Sequence, residues 1–224
     1  MRAFLVGLLL TAAATAEAGT IKGVVAAPDG AKSGRRYAGY WHLENGVIPI
    51  QPLPAGKSDT VVVLEGAKGA QAPAAKTVTV EIAGWEASPR VLILGPGSVV
   101  EIKNADRVPH DLSVPEQPSF MPIERLNPGT LRRQKFLAAG GYLIRCAEYP
   151  HVTISVVVVE TPHFAITDER GAFSIVGVPE GKATLKVWAG GRWAHEQAVE
   201  VGPKTSDLAI KPAPAARPTK DAAE

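Results

Sequence analysis

Short apolar stretches recur along the whole chain, and glycine, proline, asparagine and aspartate separate them. Residues 78–82 alternate between apolar and polar side chains, and in residues 98–103 Val100 and Ile102 alternate with Glu101 and Lys103. Successive side chains of a strand point to opposite faces, so each stretch predicts a strand with one buried face. No long helical period interrupts the pattern. Together with the 22 glycines and 19 prolines, it predicts an all-β chain.

Two stretches depart from this alternation because they are apolar without a break. Val61 to Leu64 forms one, and Val156 to Val159 forms the other. The continuous run Val61 to Leu64 predicts a strand that is buried on both faces. Residues 66–75 then consist mainly of glycine and alanine and predict a linker, where we place a domain boundary.

The first 18 residues have the three parts of a secretory signal peptide: an early arginine, a short apolar run and a small-residue site ending Ala16-Glu17-Ala18. The run is too short for a transmembrane helix, which needs about 20 apolar residues. We therefore predict an exported periplasmic or extracellular protein that begins at Gly19 and has no transmembrane segment. The formal net charge of +2 gives no reason to expect nucleic acid as a partner.

The only cysteine, Cys146, ends a predicted strand and precedes His151 by five residues. Tyr142, Ile144 and Cys146 share one face of that strand, so the thiol points into the core. A single cysteine excludes an internal disulfide, although the compartment permits one. A soft thiolate close to an imidazole suits copper. The alternative is that Cys146 is a small buried apolar residue.

A second candidate ligand lies earlier in the chain. His110 falls on the same strand face as Leu112 and Val114. A histidine on an inward face near a strand end is either a satisfied core histidine or a metal ligand.

The order of these features resembles the cupredoxin (plastocyanin/azurin) family over residues 77–160. The shared features are Pro96-Gly97, Asn104-x-Asp106, His110, Pro128-Gly129, Gly141-Tyr142 and Cys146. The resemblance implies an eight-stranded Greek-key sandwich that holds one copper ion at its end. It also implies that His110 is the early ligand and Cys146 the thiolate.

The ligand loop departs from the pattern of that family. In the family's shorter spacing, Tyr149 stands where the second histidine belongs and Val152 where the methionine belongs. A longer family spacing fits Cys146 and His151 but meets Ser155 in place of methionine. Either His151 has become the second nitrogen ligand or the site is broken. The predicted metal ligands are thus His110, Cys146 and His151, with copper as the cofactor.

The ends of the chain resemble carboxypeptidase regulatory-like (transthyretin-like) modules. The resemblance rests on Gly19-Thr20-Ile21-Lys22-Gly23-Val24-Val25, on Thr167-Asp168-x-x-Gly171-x-Phe173 and on the strand that follows Pro179. It implies a prealbumin-like sandwich formed by residues 19–66 and 161–211, with the cupredoxin-like domain inserted. A tandem arrangement is the alternative. Residues 212–224 are rich in proline and alanine and predict a disordered tail.

The functional prediction is an exported copper protein that transfers electrons with a redox partner or carries copper. The alternative is a metal-free β-sandwich module with an interaction or structural role. An enzyme is not predicted, because Cys146 lies in a buried strand and no third group orients a nucleophilic pair.

Overall fold

A computed structural model describes residues 18–26 and 60–211. The predicted signal peptide up to residue 17, an aromatic-rich stretch at 31–58 and the predicted tail lie outside these ranges. The described residues contain sixteen strands and no helix, which confirms the all-β prediction. The strands are β1 (Ala18–Val25), β2 (Val61–Glu65), β3 (Thr77–Ala83), β4 (Glu86–Ser88), β5 (Val91–Leu94), β6 (Ser98–Asn104), β7 (His110–Ser113), β8 (Glu124–Leu126), β9 (Leu131–Phe136), β10 (Gly140–Cys146), β11 (Thr153–Val158), β12 (Phe164–Ile166), β13 (Ala172–Pro179), β14 (Gly181–Ala189), β15 (Arg192–Val201) and β16 (Ser206–Ile210).

These strands form four sheets. Sheet I has the order β13-β1-β16, and sheet II has the order β12-β2-β14-β15. Sheet III has the order β5-β11-β10-β7-β8, and sheet IV has the order β4-β3-β6-β9. Sheets I and II therefore combine strands from both ends of the described chain, since β1 pairs with β13 and β16 while β2 pairs with β12 and β14. Sheets III and IV are built from residues 77–158.

Three apolar layers hold the four sheets in a stack. One layer fills the space between sheets I and II, and another fills the space between sheets III and IV. The middle layer joins sheet II to sheet III through Val61, Val63, Leu143, Val157 and Trp188. Each of these layers removes apolar surface from water, the main favourable contribution to folding.

The continuous apolar strands lie in the interior of the stack. In β2, Val62 and Leu64 enter the layer toward sheet I, while Val61 and Val63 enter the layer toward sheet III. β11 is arranged in the same way between sheets II and IV. The prediction of burial on both faces is confirmed for Val61 to Leu64.

Two glycines allow close contact across the middle layer. A Cβ atom on Gly141 of β10 would overlap the indole ring of Trp188. A Cβ atom on Gly191, in the turn after β14, would overlap the side chain of Leu143. Strand β10, which carries Cys146, is therefore fitted closely against the β14–β15 hairpin.

Candidate metal centre

His110 and Cys146 lie on neighbouring antiparallel strands at one end of the sandwich formed by sheets III and IV. Cys146 is opposite Leu112 in the register of β10 and β7, and His110 lies two residues before Leu112. Such diagonal neighbours are about 7–8 Å apart along adjacent strands. Both side chains face the core: His110 is 0% exposed and Cys146 is 2% exposed. The inward orientation predicted for the thiol is confirmed.

The two ring nitrogens of His110 have different surroundings. Nε2 lies 3.0 Å from a carboxylate oxygen of Asp106. Because an ionised carboxylate offers only acceptors, Nε2 carries the hydrogen and Nδ1 keeps its lone pair in the neutral ring. Nδ1 is buried and has no hydrogen-bond partner among the described residues. This is the tautomer that a metal-binding histidine needs, since the carboxylate fixes one nitrogen and leaves the other free.

Asp106 also binds the turn between β3 and β4. Its Oδ1 accepts a hydrogen bond from the Gly84 backbone at 2.5 Å, and its Oδ2 accepts one from the Trp85 backbone at 3.1 Å. The backbone N–H of Asp106 itself donates to the Asn104 side chain. One carboxylate, only 8% exposed at its side chain, thus joins the turn to His110.

The turn holds Trp85 in a rarely populated conformation. Ala83 pairs with Glu86, so the loop between the two strands consists of Gly84 and Trp85. Their φ angles are 61° and 68°, and a tight two-residue hairpin of this type requires positive φ at both positions. A positive φ costs a residue other than glycine about 1–3 kcal/mol. The hydrogen bonds that the Gly84 and Trp85 backbone N–H groups donate to Asp106 help to offset that cost.

The loop between β10 and β11 brings Tyr149 to His110. A turn closes the loop, in which the Val152 N–H donates to the Tyr149 carbonyl and the Cys146 N–H donates to the Val152 carbonyl. The ring of Tyr149 meets the ring of His110 edge-on, with 5.4 Å between their centroids. It also lies against Trp85 at 4.5 Å and against His151 at 6.4 Å. Tyr149 therefore contacts the rings of both His110 and His151.

His151 lies in the same loop and is half-buried. Its Nε2 is buried and has no hydrogen-bond partner among the described residues. Burial lowers the pKa of His151, and the proximity of His110 lowers it further. The imidazole is therefore neutral at neutral pH, as a metal ligand must be.

The phenol of Tyr149 is a poorer donor than His151. Burial is the main cause that raises the pKa of this phenol, and electrostatic interactions with Glu148, Cys146 and Asp106 raise it further. The phenol stays protonated at neutral pH, so a metal ion would have to displace its proton. Its oxygen is also harder than the imidazole and thiolate ligands that copper prefers.

The structure brings His110 and Cys146 together and places His151 within electrostatic range of His110. Within residues 18–26 and 60–211, however, no three His, Cys, Asp or Glu side chains are grouped closely enough to hold a metal ion. The donor types and the free nitrogen of His110 fit copper, and the third ligand is not assembled. Sequence reasoning missed the part played by Asp106, Trp85 and Tyr149; the four-residue spacing from Asp106 to His110 was the available signal.

The chain was also compared with known proteins. No protein-family model matches it, and no curated protein matches it. Over about 44% of the chain, the solved structures that resemble it are cupredoxins. Amicyanin from Paracoccus versutus is 19% identical, covers 44% of this chain and 97% of its own, and has a TM-score of 0.34. A purple cupredoxin from Nitrosopumilus maritimus is 22% identical over 37% of this chain and 99% of its own, with a TM-score of 0.32.

A third structure is the Cu-containing nitrite reductase from Thermus scotoductus. It is 28% identical over 43% of this chain, with a TM-score of 0.35. The match spans only 25% of the nitrite reductase chain. In the part of the chain that the structure describes, no helix has the length and apolar character needed to cross a membrane.

Proposed function

We propose that this protein binds copper through His110, Cys146 and His151 and exchanges single electrons with a redox partner. The observation that carries the proposal is the Nδ1 atom of His110, which is buried and has no partner among the described residues while Asp106 holds Nε2. Leaving a buried polar atom without a partner costs about 1–3 kcal/mol. A metal ion at Nδ1 would remove that cost.

The remaining donors complete a soft ligand set. Cys146 supplies a buried sulfur, and His151 supplies a neutral imidazole with a low pKa. Two imidazole nitrogens and one thiolate form the trigonal set of electron-transfer copper sites, in which an axial methionine is optional. Bound copper would supply the one-electron chemistry by changing between copper(II) and copper(I). The protein's part is to hold the donors and to exclude water from them.

Copper titration of the purified mature chain tests this function. With the thiol reduced, we expect one equivalent of copper(II) to produce an intense thiolate-to-copper absorption band. Cys146→Ser and His151→Ala should abolish the band, whereas Tyr149→Phe should keep it. His195→Ala is the matched control because His195 lies on β15 beside Gln197, in sheet II.

The results separate the candidate ligands. A band that disappears in Tyr149→Phe and survives in His151→Ala would assign the second position to Tyr149. If the unmutated protein, folded and reduced, neither takes up copper nor shows a band, the copper function is refuted. The metal-free module would then be the remaining candidate.

We also propose that residues 19–66 and 161–211 form one domain, related to carboxypeptidase regulatory-like modules, into which residues 77–160 are inserted. Pairing of β1 with β13 and of β2 with β14 supports this division. Protease cleavage within residues 67–75 should then leave the two fragments associated, because each lacks strands of sheets I and II. Fragments that separate under native conditions would contradict it.

Export is part of the same proposal, since a redox partner outside the cytoplasm requires it. The composition of residues 1–18 supports a signal peptide that is removed before Gly19. Intact mass of the secreted protein decides the point, and a mass that retains these residues would refute it.

A further inference from the structure

Three aromatic rings form a continuous series from the candidate metal centre toward the surface. His110 is fully buried, Tyr149 meets it edge-on with a centroid distance of 5.4 Å, and Trp85 meets Tyr149 at 4.5 Å. Trp85 and Tyr149 are both half-buried, so the series ends on the solvent side of the fold. Edge-to-face contacts at these distances are specific arrangements of aromatic side chains.

The conformation of the turn does not explain why a tryptophan stands at position 85. Asparagine or glycine would form the two-residue hairpin without strain, whereas Trp85 adopts its φ of 68° at a cost. A tryptophan at this position places its indole in contact with the ring of Tyr149. Asp106 then fixes both ends of the series, since it accepts hydrogen bonds from the Trp85 backbone and from His110.

We propose that Tyr149 and Trp85 form the route along which electrons pass between the metal centre at His110 and a one-electron redox partner at the surface. The inference rests on the proposed function. In each transfer the partner would lose one electron to bound copper(II), or gain one from bound copper(I), and no bond in the protein would form or break. Packed rings favour such transfer because orbital overlap across a contact decays less than it does across open space.

A packing role alone would predict a different behaviour. If the indole only covered the site, its removal would open a path for small reagents and speed their reaction with the metal. If the indole carries electrons between the metal and the reagent, its removal slows electron transfer. The two roles therefore predict opposite changes in the same rate.

The ring contacts can be tested in the metal-free protein. Azide radicals made by pulse radiolysis take one electron from tryptophan, and the oxidised indole then loses a proton. Tyr149 can restore the indole by giving it an electron and a proton, which leaves a tyrosyl radical. We expect a fast conversion of tryptophan radical to tyrosyl radical that is lost in both Trp85→Leu and Tyr149→Phe. The matched control is Trp193→Leu, which removes a tryptophan that is 36% exposed on β15.

A fast conversion that persists in Trp85→Leu would overturn the proposed route. So would its loss in Trp193→Leu alone. Because no copper is present, this outcome does not depend on whether the protein binds the metal.

The copper-loaded protein then tests conduction to the metal. Hexaammineruthenium(II), which gives up one electron without exchanging its ligands, serves as the reductant. We expect Trp85→Leu to slow bleaching of the copper(II) band, Trp85→Phe to retain part of the rate, and the spectrum before mixing to stay unchanged. An equal or faster rate in Trp85→Leu would overturn the proposal. Failure of the unmutated protein to bind copper would refute the proposed function and the route to the metal together.

Discussion

Replacing Asp106 by alanine removes the acceptor that links the Gly84–Trp85 turn to the candidate metal centre. The change deletes three hydrogen bonds: one from the buried His110 ring and two from backbone N–H groups of the turn. It also leaves Nε2 of His110, like Nδ1, without a hydrogen-bond partner in the part of the chain that the structure describes, inside a side chain with no exposure.

The expected loss of stability follows from these bonds. A hydrogen bond to a charged group contributes about 1.5–3 kcal/mol, and the turn N–H groups contribute less because water can partly replace Asp106. We therefore expect Asp106→Ala to lower the free energy of unfolding by about 3 kcal/mol. The free energy of unfolding of a small protein falls by about 1–3 kcal/mol for each molar of urea, so this loss lowers the unfolding midpoint by about 1–3 M. Copper affinity should fall by about 10–100-fold, as for other residues that orient a metal-binding histidine.

Urea unfolding of the metal-free chain, followed by tryptophan fluorescence, measures the stability. Glu81→Ala is the matched control because Glu81 lies on β3 and makes an exposed ion pair with Lys103 at 3.2 Å. Such a pair contributes about 0.2–1 kcal/mol. Asp106→Asn, which keeps one acceptor oxygen, should fall between the two. An Asp106→Ala midpoint equal to that of Glu81→Ala would refute the role given to this carboxylate.

Three further changes test other parts of the structure. Gly141→Ala should destabilise the protein by about 1–3 kcal/mol in urea unfolding, because its Cβ would overlap Trp188, whereas Gly202→Ala meets no atom within 4 Å and should be tolerated. Arg132→Met should cost about 1–3 kcal/mol, since the buried guanidinium donates to two backbone carbonyls at 2.7 and 3.0 Å. Burial lowers the pKa of His163 below 6.5, so the unfolded chain binds the proton more readily and stability falls as the pH drops below about 6.5; His163→Gln should reduce that fall in a pH series of thermal melts.

Local patterns were enough to predict the strands and the faces that carry His110 and Cys146. Alternation of apolar residues depends on neighbours along the chain, so it placed Cys146 with Tyr142 and Ile144 in the core, as observed. The short strands β4 and β8 have three residues each, too few to produce a period. The linker and the turn signals likewise predicted the order of the strands along the chain. They did not predict which strands pair within a sheet.

The contacts of Asp106 were not predictable in this way, because strand pairing creates them. β3 and β6 run parallel with Ile82 beside Asn104, and the Ala105 N–H donates to the Ile82 carbonyl. This register places the Gly84–Trp85 turn, at the end of β3, beside Asp106, which follows β6. Along the chain, three strands (β4, β5 and β6) and the turns between them separate Trp85 from Asp106, and no local periodicity reports on a parallel pairing.

The buried nitrogens bear on the choice between a copper protein and a metal-free module. A module that serves only as a structural or interaction surface gains nothing from buried His110 and His151 nitrogens that lack a partner among residues 18–26 and 60–211, and each such atom costs about 1–3 kcal/mol. Apolar residues of similar size would fill the same space without that cost. Replacing the His110 imidazole would also take a hydrogen-bond partner from Asp106, which holds the ring in the tautomer that leaves Nδ1 free. The arrangement is more easily explained if Nδ1 has a ligand in the working protein, and copper is the ligand that the adjacent thiol favours.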